Sequence, residues 1–356
     1  MNGTDNENVP VDAYTIDYEA SNVDVNLTMT SWLGTDPIRW SWDAKLWSWY
    51  VICELVTAVV GIAGNLLVIV VVFGRRAKCR STDILVGNLA IADFLTSVLL
   101  IPYPQVKSIP NTWAGAIFCK IMKGNYLMWT SVTASIYTLV AISFDRFFAV
   151  VYPMYFKRFV NRRLMGFVVA LIWVGSALLV TRILVTNTTD AVEGQCIFQR
   201  PSAEHQISYG MFVFVVRLAL PTVVMLSTQL VIARSLHREA ARFKSAEISN
   251  SIAASFHSVA RSRIIKLMFT VVLIYILCWA PNQIAFMFFN LGIIPASYLR
   301  SPPHRLLTVI AFCNSCVNPI LYTLRHPQFR KAVREFFRSS PSTARPIFED
   351  LESLKT

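Results

Sequence analysis

The residues of this sequence that could do chemistry are polar groups set in apolar surroundings. Asp93 lies in an apolar stretch, while Ser131 and Ser135, like Asn314 and Asn318, recur at a spacing of four residues. That spacing places both side chains of a pair on one face of a helix. Their carboxylate, hydroxyl and amide oxygens are suitable ligands for a small hard cation. The same groups could instead form a hydrogen-bonded seam that only holds helices together, and the sequence leaves both interpretations open.

Arg217 is a second candidate, because it also lies in an apolar stretch, four residues before Pro221. Its guanidinium could pair with a carboxylate on a ligand. Alternatively, it could pair with Glu54 or with water. Neither candidate suggests an enzyme, since the apolar stretches contain no His in their cores and the chain has no Gly-x-Ser-x-Gly motif.

Long apolar segments must position these groups. The chain is 54% hydrophobic and 15% charged, whereas soluble domains carry about 25% charged residues. A helix that crosses a bilayer needs about 20 mainly apolar residues, and backbone groups in lipid must be satisfied within helices or a closed barrel. Because the runs are continuous, we predict an all-α membrane protein with a seven-transmembrane helix bundle. The predicted spans are Trp47–Phe73, Ile84–Tyr103, Ile121–Phe144, Leu164–Val185, Ile207–Ala233, Ile264–Leu291 and Leu306–Leu324.

The distribution of basic residues predicts the orientation of the bundle. Of the 33 Lys and Arg residues, 21 lie in or beside the loops after spans one, three and five and in residues 325–338, which places these segments in the cytosol. We therefore expect a multi-pass protein of the plasma membrane with its amino terminus outside. Since the basic residues punctuate membrane spans, they do not indicate nucleic-acid binding.

The segments around the bundle predict four regions. Residues 1–46 hold eight acidic and two basic residues and form an outer, disordered and glycosylated segment. Residues 47–324 form the bundle, residues 325–338 an amphipathic helix on the inner membrane surface, and residues 339–356 a cytoplasmic tail. In the third region apolar and basic side chains alternate at helical spacing, although a disordered basic tail is the alternative. The predicted glycosylation sites are Asn2, Asn26 and Asn187.

Two cysteines fall on the predicted outer side. Cys119 precedes span three and Cys196 lies between spans four and five. The outer side is oxidising, so we predict a disulfide that holds the outer loop against span three, with two free thiols as the alternative.

Several short motifs occur in order within these spans. They are Gly64-Asn65, Asn88-Leu89-Ala90 with Asp93, Asp145-Arg146-Phe147, Trp173, Pro221, Cys278-Trp279-Ala280-Pro281 and Asn318-Pro319-Ile320-Leu321-Tyr322. With these motifs the chain resembles a rhodopsin-like (class A) G-protein-coupled receptor of the peptide-receptor type over nearly its whole length.

The resemblance implies a mechanism. Ligand binding would move the inner end of span six outward and activate a heterotrimeric G protein, with arrestin and a receptor kinase as further partners. The residues implied in this activation switch are Asp145, Arg146, Pro221, Ile136, Tyr275, Trp279, Pro281, Asn318, Pro319 and Tyr322. No cofactor is implied apart from an allosteric sodium ion, whose ligands would be Asp93, Ser135, Asn314, Ser315 and Asn318.

The chain departs from the family pattern at several positions. Tyr275 replaces the commoner Phe, and Gln229 stands where the family usually has Tyr. Arg261 replaces a frequent Glu, so it cannot form a resting salt bridge with Arg146. Cys119 also lies about two residues further from Arg146 than the family pattern has it.

The ligand class is only partly constrained. Amine receptors have an Asp in the outer part of span three and opsins a Lys in span seven, and both are missing here. We expect an outer pocket formed by Glu54, Tyr103, Gln105, Met128, Trp129, Arg217, Asn282, Gln283, Phe286, His304 and Thr308. The aromatic pocket and acidic head segment favour an extracellular neuropeptide, and the eight acidic residues of that segment favour a basic one. A lipid or small carboxylate ligand is the alternative, and a seven-span transporter or channel a remote one.

Overall fold

The computed structural model describes residues 9–10, 39–44, 47–74, 80–190, 194–199, 202–245 and 252–338. The sequons at Asn2 and Asn26 and the tail 339–356 lie outside the described residues, as does most of the predicted head segment. The helices are α1 (Trp49–Phe73), α2 (Ser81–Leu99), α3 (Trp113–Ile117), α4 (Tyr126–Val151), α5 (Pro153–Phe159), α6 (Arg162–Leu179), α7 (Arg182–Thr186), α8 (Ala203–Phe214), α9 (Leu220–Ser245), α10 (Ile252–Asn290), α11 (Pro302–Arg325) and α12 (Pro327–Phe337). The strands are β1 (Val9–Pro10), β2 (Ser41–Asp43), β3 (Gln105–Ser108), β4 (Asn187–Thr189) and β5 (Cys196–Phe198).

Seven helical stretches in the described part of the chain are long and apolar enough to cross a bilayer, which confirms the predicted bundle. They are Trp49–Phe73, Ser81–Leu99, Trp113–Val151, Arg162–Thr186, Ala203–Arg238, Leu267–Asn290 and Pro302–Arg325, called spans one to seven below. Helices α9 and α10 run on beyond the apolar stretches, because hydropathy marks only the part of a helix that lies in lipid.

Polar side chains tie the spans together inside the apolar bundle. The amide of Asn65 donates to the carbonyls of Gly61 and Ser315, at 2.9 and 2.8 Å, and so links spans one and seven. Asn88 donates to Thr138 at 2.8 Å and accepts from the indole of Trp173 at 2.9 Å, which joins spans two, three and four. Such bonds satisfy groups that lipid could not. These bonds link spans one to four and span seven through buried polar groups.

A π-helical segment and a turn interrupt the outer end of span three. The π-helix covers Phe118–Lys123, and Asn125, just before α4, has a φ of 53°. Asn tolerates this left-handed conformation better than most residues, because its short polar side chain can hydrogen-bond locally. A π-helix holds extra residues within a helical turn. The irregularity therefore accommodates the longer spacing between Cys119 and Arg146 while α4 keeps its regular register.

A β-hairpin joins the outer ends of spans four and five. Strands β4 and β5 pair antiparallel, and β1 adds to β5. The disulfide between Cys119 and Cys196 ties this hairpin to span three, so the structure contains the predicted bridge. Asn187 in β4 is only 4% exposed, and its amide nitrogen donates to the carbonyl of Ile183 at 2.8 Å. This placement argues against the glycan predicted at Asn187, because a glycosylated nitrogen must reach solvent.

Helix α12 follows span seven and has the amphipathic character that the sequence predicts. Phe329 and Ala332 are buried against the bundle, while Phe336 and Phe337 are exposed. Exposed aromatic side chains beside basic ones are typical of a helix that lies on a membrane surface.

Candidate ligand cavity and activation switch

A cavity of about 200 Å³ opens at the outer end of the bundle. All eleven residues predicted for the outer pocket line it, from spans one, three, five, six and seven and from the segment that follows span two. Pockets that take drug-sized ligands measure about 300–1,000 Å³. The cavity therefore has room for the end of a peptide rather than for a whole one.

Sequence reasoning missed several residues of the cavity wall. Tyr50, Lys123, Arg182, Tyr209 and Arg305 also line it. Two of the missed basic residues lie over rings that were missed with them, since the guanidinium of Arg182 lies 4.1 Å from the ring centroid of Tyr209 and that of Arg305 lies 4.3 Å from that of Tyr50. The sequence shows basic residues near the ends of the predicted spans, but the direction in which their side chains point depends on how the helices pack.

The floor of the cavity is aromatic. Trp129, Trp279 and Phe312 form a cluster in which each ring centroid lies 6.3–6.5 Å from the other two. Arg217 lies over the ring of Trp129, with its guanidinium carbon 4.8 Å from the centroid. Trp279 is 2% exposed, and Pro281 lies inside the same helix two residues further along. A ligand that reaches the floor therefore contacts a helix that proline has deprived of one backbone hydrogen bond.

Below the floor, a second π-helix breaks span five at Val215–Ala219. Pro221 has no N–H, so it cannot donate to the carbonyl of Arg217 as a regular helix would require. The hydroxyl of Tyr275 in span six donates to this carbonyl instead. The hydroxyl of Tyr137 in span three donates to the neighbouring carbonyl of Val216 at 3.1 Å.

This arrangement explains the tyrosine at position 275. Pro221, Ile136 and Tyr275 belong to the activation switch that the resemblance implies, and all three are buried here. The hydroxyl of Tyr275 adds a hydrogen bond between spans five and six that a Phe could not make. Since the acceptor exists because of Pro221, the bond depends on the irregularity in span five.

The side chains predicted to hold sodium surround Asp93, which has no exposed surface. One carboxylate oxygen of Asp93 accepts from Ser135 at 2.7 Å and the other from Asn318 at 2.8 Å. Asn314 and Ser315 are buried on the same face of span seven. Carboxylate, hydroxyl and amide oxygens are the ligand types that a hard cation prefers, so these residues fit a sodium ion.

At the inner end of span three, Arg146 is held by its neighbours. Its guanidinium donates to the carboxylate of Asp145 at 2.6 Å and also to the hydroxyl of Thr82 in span two. Thr82 in turn donates to Asp145 at 2.8 Å. Each of the three residues is less than 10% exposed, so in this conformation Arg146 does not reach the surface at this end of the bundle.

Three other inner positions bear on the switch. Gln229 is 4% exposed, and both ends of its amide have no hydrogen-bond partner within the described part of the chain. The side chain of Arg261 lies outside the described residues. Tyr322 is buried, and its ring packs against that of Phe329 in α12 at 6.2 Å between centroids.

His326 joins span seven to α12. Its Nδ1 accepts from the backbone N–H of Phe329 at 3.2 Å, so the imidazole caps the helix. Burial, together with the nearby positive charges of Arg146 and Arg330, lowers the pKa of His326 to about 4. The imidazole is therefore neutral at physiological pH.

Comparison with known proteins also indicates a seven-helix membrane receptor. Residues 64–322 match the family described as 7 transmembrane receptor (rhodopsin family). The Allatostatin-A receptor of Bombyx mori is 28% identical over 292 residues, which cover 80% of this chain and 78% of that receptor. The RYamide receptor of Tribolium castaneum is 28% identical over 81% of this chain and 80% of its own. The Tachykinin-like peptides receptor 86C of Drosophila melanogaster is 28% identical over 83% of this chain and 59% of its own.

Proposed function

We propose that this chain, which belongs to the rhodopsin family of seven-transmembrane receptors, binds an extracellular peptide and thereby activates a heterotrimeric G protein. The family consists of receptors rather than enzymes, and coupling to G proteins is general within it. The chain is thus a multi-pass membrane protein. The peptide ligand, the plasma membrane and the external amino terminus belong to our proposal.

The observation that carries the proposal is the position of the cavity. It opens at the outer end of the bundle beneath a disulfide-anchored hairpin, and its floor is Trp279 in the same helix as Pro281. The three relatives compared above are named as receptors for allatostatin-A, tachykinin-like peptides and RYamide. A small cavity that admits the end of a flexible chain is suited to such a ligand.

The mechanism begins at the floor of the cavity. A ligand that binds more tightly when span six has turned shifts a pre-existing equilibrium by its differential affinity for the two states. Turning span six breaks the bond from Tyr275 to the carbonyl of Arg217. The inner end then moves outward, and Arg146 leaves Asp145 and Thr82 to meet the G protein.

Sodium would stabilise the resting state in the same scheme. Asp93, Ser135, Asn314, Ser315 and Asn318 would hold the ion, which supplies positive charge opposite the buried carboxylate. Because Ser135 belongs to span three and Asn318 to span seven, the ion would tie these spans together. Motion of span seven at Pro319 would weaken the site.

The inner surface completes the proposal. Helix α12 would lie on the lipid of the inner leaflet through Phe336 and Phe337, and the tail beyond it would receive phosphate from a receptor kinase and then bind arrestin.

The experiment is a peptide-library screen on cells that express the receptor with several G-protein reporters. We expect the screen to find a peptide that stimulates nucleotide exchange in cells with the wild-type chain. The matched control is Arg146→Ala, which leaves the outer cavity intact and should still bind the peptide but fail to stimulate exchange. Solute flux without any exchange response would instead support a transporter or channel.

A further inference from the structure

Two buried polar groups at the floor of the cavity have no hydrogen-bond partner within the described part of the chain. They are the indole N–H of Trp279 and the side-chain oxygen, Oε1, of Gln283. Both residues line the cavity, and each is only 2% exposed. Since roughly 90% of buried polar groups in proteins are hydrogen-bonded, two orphans in one place require an explanation.

The two groups lie on one face of span six. Trp279 and Gln283 are four residues apart in α10, which is the spacing of neighbours along a helix face. The indole can only donate a hydrogen bond, because it has an N–H and no acceptor. The orphaned atom of Gln283 can only accept, because it is a carbonyl oxygen. The floor therefore presents a donor and an acceptor on the same side of one helix.

Neighbouring polar groups of the same wall are already satisfied within the protein. The amide nitrogen of Asn282 donates to the hydroxyl of Thr308 at 3.2 Å, and this hydroxyl donates to the carbonyl of His304 at 2.9 Å. The unmatched pair at Trp279 and Gln283 is thus not a general feature of the wall. Water can serve both groups before a ligand binds, but a ligand that displaces this water must reproduce its bonds or lose affinity.

The chemistry of the pair selects the group that a peptide can place at the floor. A carboxylate only accepts, so it would bring a negative charge against the oxygen of Gln283. An ammonium or guanidinium group only donates, so it would leave the indole N–H of Trp279 unpaired. A primary carboxamide has an oxygen that accepts and an NH₂ group that donates. It also carries no charge that must be desolvated among aromatic rings.

Building on the proposed function, we propose that the peptide ends in a carboxamide instead of a free carboxylate and binds the floor of the cavity through this group. The carboxamide oxygen accepts from Nε1 of Trp279, and its NH₂ group donates to Oε1 of Gln283. The cavity of about 200 Å³ has room for such an end, and the rest of the peptide extends outward from it. The contact falls two residues before Pro281, in the helix whose movement we propose as the response to ligand.

The test uses four pools of synthetic five-residue peptides with acetylated amino ends and the same mixed interior, free of Asn and Gln. The pools end in a carboxamide, in a free carboxylate, in a methyl ester, which accepts but does not donate, and in Asn or Gln with a free carboxylate. Binding is measured as the rise in melting temperature of the purified full chain in lipid nanodiscs, titrated with each pool. We expect the carboxamide pool to bind about 10- to 100-fold more tightly than the other three, because each of those leaves a buried group unpaired or brings in a charge.

Variants at Gln283 assign the effect to the floor of the cavity. Gln283→Met has a similar size but no amide oxygen, so it should bind the carboxamide pool about 10- to 100-fold more weakly and the ester pool as the wild type does. Gln283→Glu keeps an acceptor and should retain the preference for the carboxamide over the free carboxylate. The control, Gln328→Met, changes an exposed residue of α12 at the other end of the bundle and should bind every pool as the wild type does.

Several results would overturn the proposal. They are equal or stronger binding of any other pool, no binding of any pool, and an undiminished preference for the carboxamide in Gln283→Met. Equal binding of the pool that ends in Asn or Gln would assign the floor to a side-chain amide instead of the end of the chain. Nucleotide exchange is recorded in parallel to separate this proposal from the receptor function. A free-carboxylate peptide that stimulates exchange as strongly as its carboxamide would refute the carboxamide and keep the receptor, whereas carboxamide peptides that bind through Gln283 without ever stimulating exchange would do the reverse.

Discussion

Replacing Tyr275 with Phe should raise the basal activity of the receptor. The substitution removes one hydroxyl and leaves the ring, so the packing of this fully buried side chain is kept. What is lost is the bond to the carbonyl of Arg217, for which Pro221 provides no backbone donor. That carbonyl then stays buried without its partner as long as the receptor rests.

The size of the effect follows from the cost of an unpaired buried acceptor, about 1–3 kcal/mol. Side-chain hydrogen bonds inside membranes average about 0.6 kcal/mol, which sets a lower limit. If the bond exists only in the resting state, Tyr275→Phe shifts the equilibrium toward the active state by about 3- to 150-fold.

The assay is nucleotide exchange on a purified G protein, stimulated by receptor in nanodiscs without ligand and normalised to the amount of folded receptor. The matched control is Tyr137→Phe, which removes a hydroxyl from the carbonyl of Val216 in the same π-helix. Because Tyr137 lies in span three, which does not swing, this variant should lose stability without gaining basal activity. Unchanged exchange with Tyr275→Phe, or an equal rise with Tyr137→Phe, would refute the reasoning.

Three further predictions concern other parts of the molecule. We expect basal exchange to fall when sodium chloride replaces choline chloride, and Asp93→Asn should abolish this fall. If the variant still responds to sodium, the ion does not bind at Asp93. Replacing both Cys119 and Cys196 with Ser opens a link across 77 residues and should cost about 4 kcal/mol of folding stability, seen as a lower melting temperature; an unchanged value would mean that the bridge is dispensable. The pKa of His326 is about 4 in the folded chain, below its ordinary value of 6.5. Between these two pH values the imidazole therefore takes up a proton when the chain unfolds. Its contribution to folding stability is complete above pH 6.5 and falls as the pH drops toward 4, by about 2 kcal/mol at pH 5. His326→Asn keeps a helix-capping acceptor and should lose that part of the acid sensitivity in melting curves at pH 5.0 and 7.5, and equal pH dependence in both proteins would contradict this.

The bundle could be predicted from the sequence because lipid imposes a simple rule on it. A helix in hydrocarbon needs about 20 apolar residues, and seven such runs are visible without knowledge of any contact. The eleven pocket residues also lie together in the structure. Most of them lie within the predicted spans, where the regular rise of a helix preserves their positions.

The irregular backbone could not be predicted in the same way. Nothing in the run from Phe118 to Lys123 distinguishes a π-helix from an α-helix, since the choice depends on packing against neighbours. The spacing between Cys119 and Arg146 hinted at an irregularity but did not locate it. The acceptor of Tyr275 was equally hidden, because it is a backbone carbonyl in another span.

The direction in which basic side chains at span ends point was also hidden from the sequence. Arg182 and Arg305 lie at the ends of spans, where a side chain can point to water, to lipid headgroups or into the bundle. The structure turns both toward aromatic rings of neighbouring spans. Asn187 shows the same limit, since its sequon marks an acceptor sequence and the fold buries the amide.

The most direct test of the account is the distance between the inner ends of spans four and six. Nitroxide labels would be placed at Arg162 and Lys266 of receptor in nanodiscs, in a variant whose reactive thiols have been replaced, and the distance distribution measured with and without nucleotide-free G protein. If span six moves outward, a new population at longer distance appears when the G protein is bound. An unchanged distribution in a sample that still catalyses nucleotide exchange would contradict the outward movement of span six.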